Sequence, residues 1–124
     1  DAYFAVAGVP VRDRDHAANA ARFALDLLRL SAGWTSEHLH HPRFRVALAS
    51  GPVVAGVIGA TKFAYDVWGD TVNTASRIEH LPGPGEVWVT DETARRLGDV
   101  FRLTPLGPVE LRGRDPVTLH RLDG

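Results

Sequence analysis

The stretch Phe63-Ala-Tyr-Asp-Val-Trp-Gly-Asp-Thr-Val-Asn-Thr-Ala-Ser-Arg77 reads as a strand that runs through a turn into a helix. Asp66 precedes the turn, and Asp70 is the expected N-cap of the helix that follows. Asn73 and Arg77 are four residues apart, so their side chains share one helix face, one turn apart and close to the N-terminus. Free backbone N–H groups and the positive end of the helix dipole favour an anion there, and a guanidinium adds a two-pronged donor. Taken singly, Asp66 is a solvated turn carboxylate, and Asn73 and Arg77 are exposed helix residues. Their placement on one bend gives them the functional reading.

At 124 residues the chain is expected to form a single domain, residues 1–124, large enough to bury roughly two thirds of its unfolded surface. Its 14 basic and 15 acidic side chains nearly cancel, so no net field draws it to nucleic acid or to an anionic membrane. Phosphate binding must therefore be local. Without cysteine there are no disulfides, no thiolate metal sites and no thiol nucleophile. No apolar run reaches the roughly 20 residues that span a bilayer, so the expectation is a soluble, cytoplasmic domain without direct membrane contact.

Along the chain, apolar Ala2 to Val9 reads as a buried strand. Asp13 or Asp15 can cap a helix through Leu30, with Ala17, Ala20, Phe23, Ala24, Leu27 and Leu28 as its apolar stripe. Residues 31–42 form a connection, and the imidazoles of His38, His40 and His41 within it could meet a transition metal but make no completed ligand set in a loop. Strands are expected at Phe44–Ala49, Val53–Ile58 and Glu86–Thr90, and the helix carrying Asn73 should stop near Leu81-Pro82-Gly83. Thr90 can cap a short helix with Asp91 and Glu92 in its first turn, Arg95 and Arg96 near its end and Gly98 just past it. Phe101–Leu106, Val109–Leu111 and Val117–Leu122 complete an α+β pattern, a sheet with helices packed on one face. The glycines of Gly51-Pro-Val-Val-Ala-Gly-Val-Ile-Gly59 tempt a phosphate-loop reading, but Val57 and Ile58 stand where that loop needs Lys and Ser or Thr. They suit close backbone approach in a hairpin. The three tryptophans, Trp34, Trp68 and Trp88, serve packing in a chain with no basic stripe.

The Phe63–Arg77 stretch, together with Phe44–Gly59 before it and Pro82–Thr93 after it, resembles the signature of the class III nucleotidyl cyclases, the adenylate and guanylate cyclase family. The resemblance implies a ferredoxin-like sandwich with an antiparallel or mixed sheet, here without the N-terminal part of the domain. It implies a homodimer that converts ATP into 3′,5′-cyclic AMP and pyrophosphate, with Mg²⁺ or Mn²⁺ as a pair of ions. Asp66 and the backbone N–H of Val67 would meet adenine, Asn73 the ribose and Arg77 the α-phosphate. Arg112, in Glu110-Leu-Arg-Gly-Arg114, fills the place of a lysine that binds the terminal phosphates. Asp1 matches one of two metal-binding carboxylates.

An acceptor-only carboxylate suits the N6–H₂ donor of adenine and repels the O6 of guanine, which favours ATP over GTP. The partner carboxylate and the lysine that precedes the family's Gly-Asp pair are missing, so the chain alone is expected to turn over little or no ATP. An upstream regulatory domain is expected. The alternative is a non-enzymatic cyclase-homology module kept for dimerisation or nucleotide sensing.

Overall fold

Strand β4 (Val87–Thr90) explains why this chain builds layers on both sides of a sheet. Val87 and Val89, both fully buried, point to one side, and Trp88 points to the other. The computed structural model describes residues 2–34, 43–59 and 64–124, with Ala64 and Tyr65 described by their backbone alone. Within these, helix α1 (His16–Ser31) is followed by β1 (Val46–Leu48), β2 (Val54–Ile58), β3 (Ala64–Trp68), α2 (Asp70–Ile78), β4, α3 (Asp91–Leu97), a 3₁₀ turn (Gly98–Val100), β5 (Leu103–Val109) and β6 (Val117–Leu122).

The main sheet has the order β1-β4-β6-β5, with β1 parallel to β4 and the other pairs antiparallel. A parallel pair needs a crossover connection, and the one from β1 to β4 contains the β2–β3 hairpin and α2. That connection carries the bend singled out in the sequence. Registers keep the faces consistent: Val46, Val87 and Leu122 align across three strands on one side, as do Ala47, Trp88 and Arg121 on the other.

The α+β sandwich with a mixed sheet stands as expected. Helices α1 and α3 cover one face through Ala17, Ala21, Ala24, Ala94 and Leu97, which pack with Val87, Val89 and Leu122. Helix α2 lies against the opposite face, where Ile78 packs with Leu111 and Leu119 beside Trp88, Leu106, Val109 and Val117. Helices thus occupy both faces rather than one, because β4 and β6 are apolar at alternate and at intervening positions.

Several local expectations shift. The α1 stripe runs through Ala17, Ala21, Ala24 and Leu28, while Phe23 is 54% exposed. Residues Ala2–Val6 have no regular secondary structure, and Tyr3 and Phe4 are exposed rather than buried in a strand. Apolarity makes such a segment seek cover, but a strand forms only where a neighbouring backbone can pair with it. The two strands expected on either side of Gly107-Pro108 are one, β5, with an irregularity between Pro105 and Gly107 where the register slips. Helix α3 matches expectation closely: Thr90 Oγ1 accepts the Thr93 N–H at 3.3 Å, and Gly98, at φ +61°, closes the helix. Among the described residues no helix is long and apolar enough to cross a membrane.

Candidate functional site

Strand β3 places Asp66 opposite Gly56 of β2, with Asp66 and Trp68 on one face of the hairpin and Val67 on the other. Val67 is buried, whereas Asp66 is exposed and Trp68 is 41% exposed. The indole of Trp68 lies over Gly56, where an added Cβ would sit 3.7 Å from the ring. The Val67 N–H donates to Oδ1 of Asp66 at 2.8 Å. The amide and the carboxylate assigned to adenine by the resemblance are therefore bonded to each other.

Gly69, at φ +131°, turns the chain into α2 and brings the backbone against Val53 and Val54, within 3.8 Å of where a Cβ would stand. Gly69 takes the N-cap position and Asp70 the first helical one, a shift of one residue from expectation. The Asp70 carboxylate is engaged elsewhere, by Arg114. Two further bonds fix the loop before β2 against the starts of α2 and α3. Thr71 donates its hydroxyl to the Pro52 carbonyl at 2.8 Å, and Ser50 Oγ lies 2.8 Å from Thr93 Oγ1 at the start of α3. The Ser50–Pro52 loop is thereby tied to the first turns of two helices.

Asn73 and Arg77 are both exposed on α2. The helix has nine residues and ends at Ile78, with a Leu81 N–H to Ile78 carbonyl turn of 3.1 Å leading into Pro82. Arg77 consequently sits in the last turn, not near the N-terminus as expected. Seven residues of rise put its Cα about 10 Å along the axis from that of Asp70. The macrodipole stabilises a cation in the last turn, so dipole and guanidinium do not converge on one spot through the backbone. Helical Cα–Cβ bonds tilt towards the N-terminus, which directs Arg77 back towards Asn73.

Arg112 is exposed in the turn after β5. The Arg114 N–H donates to the Leu111 carbonyl at 3.1 Å across this turn, and Gly113 has the φ of +76° that a tight turn asks of its third residue. Arg114 then reaches α2: Nη2 lies 2.8 and 2.9 Å from the two Asp70 carboxylate oxygens, and Nη1 donates to the Thr74 hydroxyl at 2.6 Å. This contact joins residues 44 positions apart. Sequence reasoning missed Arg114, and the one signal for it was a second cation two places after Arg112. An open depression lined by Gly113, Arg114, Asp115, Pro116 and Val117 lies beside the turn.

The structure thus gathers Asn73, Arg77 and the Arg112 turn around α2, with Asp66 one bend away on β3. Among the described residues no hydrogen bond joins Asp66, Asn73, Arg77 or Arg112 to one another. Asp1, and the cluster His38, His40 and His41, lie outside the described residues. Among the described residues no group of three or more His, Cys, Asp or Glu side chains could hold a metal ion.

Residues 1–124 match the adenylate and guanylate cyclase catalytic domain family, and the chain belongs to that family. An adenylate cyclase of Mycobacterium tuberculosis is 44% identical over 114 residues, covering 92% of this chain and 26% of the relative. Retinal guanylyl cyclase 2 of Bos taurus is 40% identical over 120 residues, covering 92% of this chain and 11% of the relative. The crystal structure of a guanylate cyclase domain from Catenaria anguillulae in complex with GTP has a TM-score of 0.87 at 31% identity, over 95% of this chain and 65% of that one. The chain spans about a quarter or less of the length of these two curated relatives.

Proposed function

We propose that this chain is the catalytic domain of an adenylate cyclase, which forms 3′,5′-cyclic AMP and pyrophosphate from ATP at the interface of a homodimer. The observation that carries the reading is the single bend, Asp66-Val67-Trp68-Gly69, that sets an acceptor-only carboxylate on a strand and Asn73 with Arg77 on the helix directly after it. The 44% identity to a mycobacterial protein named as an adenylate cyclase supports it. The divalent ions belong to the same reading, with Asp1 a candidate ligand.

In the reaction the ribose 3′-hydroxyl passes its proton to solvent, its oxygen bonds to the α-phosphorus, and the bond from that phosphorus to the bridging oxygen breaks to release pyrophosphate. Such transfers are driven by positioning and by donors aimed at developing charge. The Asn73 amide would hold the ribose so that its 3′-oxygen faces phosphorus. The Arg77 guanidinium would donate to the α-phosphate oxygens as negative charge grows on them. Arg112 would bind the terminal phosphates at the turn. Asp66 would accept from the adenine amino group, once its carboxylate turns away from the Val67 N–H.

The test is turnover of ATP and GTP in parallel by the full gene product, with Mn²⁺ or Mg²⁺ supplied. Cyclic AMP as the dominant product supports the reading, and cyclic GMP overturns the purine assignment. Nucleotide binding and dimerisation without either product would favour a sensing or scaffolding module instead.

A further inference from the structure

We propose that Arg114 is a positioning residue that locks the Arg112 turn onto α2, so that Arg112 is presented to the terminal phosphates beside the helix bearing Asn73 and Arg77. This rests on the function proposed above. The turn Leu111–Arg114 is anchored at both ends. Leu111 is 6% exposed and packs with Ile78 of α2 in the core, and Arg114 grips Asp70 and Thr74 at the start of the same helix. Between the anchors, Arg112 is free to face solvent, and the tight turn leaves its backbone little room to move.

The Arg114 side chain is 21% exposed and the Asp70 side chain 79%, so the definition of the contact comes from the guanidinium, which uses both terminal nitrogens and reaches the half-buried Thr74 hydroxyl as well as the carboxylate. Thr74, bound by Arg114, also donates to the Asp70 carbonyl at 2.9 Å, which makes the first turn of α2 and the Arg112 turn one bonded unit. A loop that spends only a fraction of its time in the competent position weakens apparent affinity by that fraction. The arrangement therefore predicts an effect on phosphate binding carried through Arg112, not through Arg114 touching the nucleotide.

The test uses the full gene product and inorganic pyrophosphate as the probe, with calorimetric affinity and steady-state kinetics on ATP read side by side. Arg114→Ala and Asp70→Asn should each weaken pyrophosphate binding and raise KM by about tenfold, with kcat altered by less than about threefold. Arg112→Ala should do the same, and adding Arg114→Ala to it should cause no further loss, because the second residue acts through the first. Arg114→Lys should recover only part of the affinity, since an ammonium cannot span Asp70 and Thr74 with a planar fork. If Arg114→Ala does not fold, Asp70→Asn carries the same test from the other side of the contact. Additive losses in the double variant, unchanged affinity in folded Arg114→Ala and Asp70→Asn, or a wild-type protein that binds pyrophosphate no better than Arg112→Ala would each overturn the proposal. A wild-type protein that binds pyrophosphate but forms no cyclic nucleotide overturns the cyclase reading instead, and the affinities still decide the role of Arg114.

Discussion

The Val67 amide donates to the Asp66 carboxylate at 2.8 Å, a bond between two consecutive residues of β3 that occupies both groups the resemblance assigns to the purine. An adenine edge must displace that bond. The carboxylate can turn outward because it is exposed, while Val67, buried on the opposite face, holds the strand in place. Selectivity then rests on what Asp66 accepts when it turns.

Asp66→Ala removes that acceptor without disturbing the core. The ratio of kcat/KM for ATP to that for GTP should fall by about tenfold to a hundredfold, in line with the roughly 1–3 kcal/mol that a specific base-edge pair supplies. An unchanged ratio would mean that the base is read elsewhere.

Arg77 is exposed in the last turn of α2, where only the helix dipole favours its charge, so Arg77→Ala should leave the thermal midpoint within about five degrees of wild type. Its cost should fall on the chemical step, about 10²–10³ in kcat with KM little changed, as for removal of one donor to a developing oxyanion. A loss confined to KM would assign Arg77 to ground-state binding.

Leu119 is fully buried beneath α2, and Phe23 is 54% exposed on α1. Leu119→Ala should cost about 2–5 kcal/mol in urea unfolding. Phe23→Ala should cost about 0.5 kcal/mol or less. Equal costs would refute the placement of the α1 stripe.

Gly51 has no room for a side chain, since an added Cβ would stand 2.5 Å from Thr71 Oγ1. Gly51→Ala should destabilise the fold by about 1–3 kcal/mol by pushing α2 off the Pro52 carbonyl. Combining it with Thr71→Ala, which removes the clashing oxygen, should recover part of that loss, as a double-mutant cycle would show.

Thr104 donates its hydroxyl to Asp123, and Arg121 donates Nε to the other carboxylate oxygen at 2.7 Å, and together they hold the Asp123 carboxyl below its ordinary range. A carboxyl depressed in the folded state stabilises the fold above its unfolded titration near pH 4 and loses that contribution as pH falls through its folded value. Thr104→Val should therefore be less stable than wild type near pH 6, and the difference should shrink towards about pH 3. A gap that stays constant with pH would remove Asp123 from the explanation.

Local chemistry was legible from the chain alone. Thr90 and Gly98 mark the start and end of α3 and each bonds backbone within four residues of itself, while Asp91 and Glu92 in the first turn and Arg95 and Arg96 in the last give its charge bias. The same holds for the strand, Gly69 turn and helix that set Asp66 before Asn73 and Arg77, and for β6, found at Val117–Leu122 as expected. Placement across the molecule was not legible. That α2 lies on the face opposite α1 and α3 depends on which side of β4 each apolar residue meets, and both sides are apolar. That Asp70 serves Arg114 rather than capping its own helix depends on a residue 44 positions away. Capping and turn preferences are decided by neighbours along the chain, whereas the choice of sheet face and the partner of a distant charge are decided only when the whole core closes.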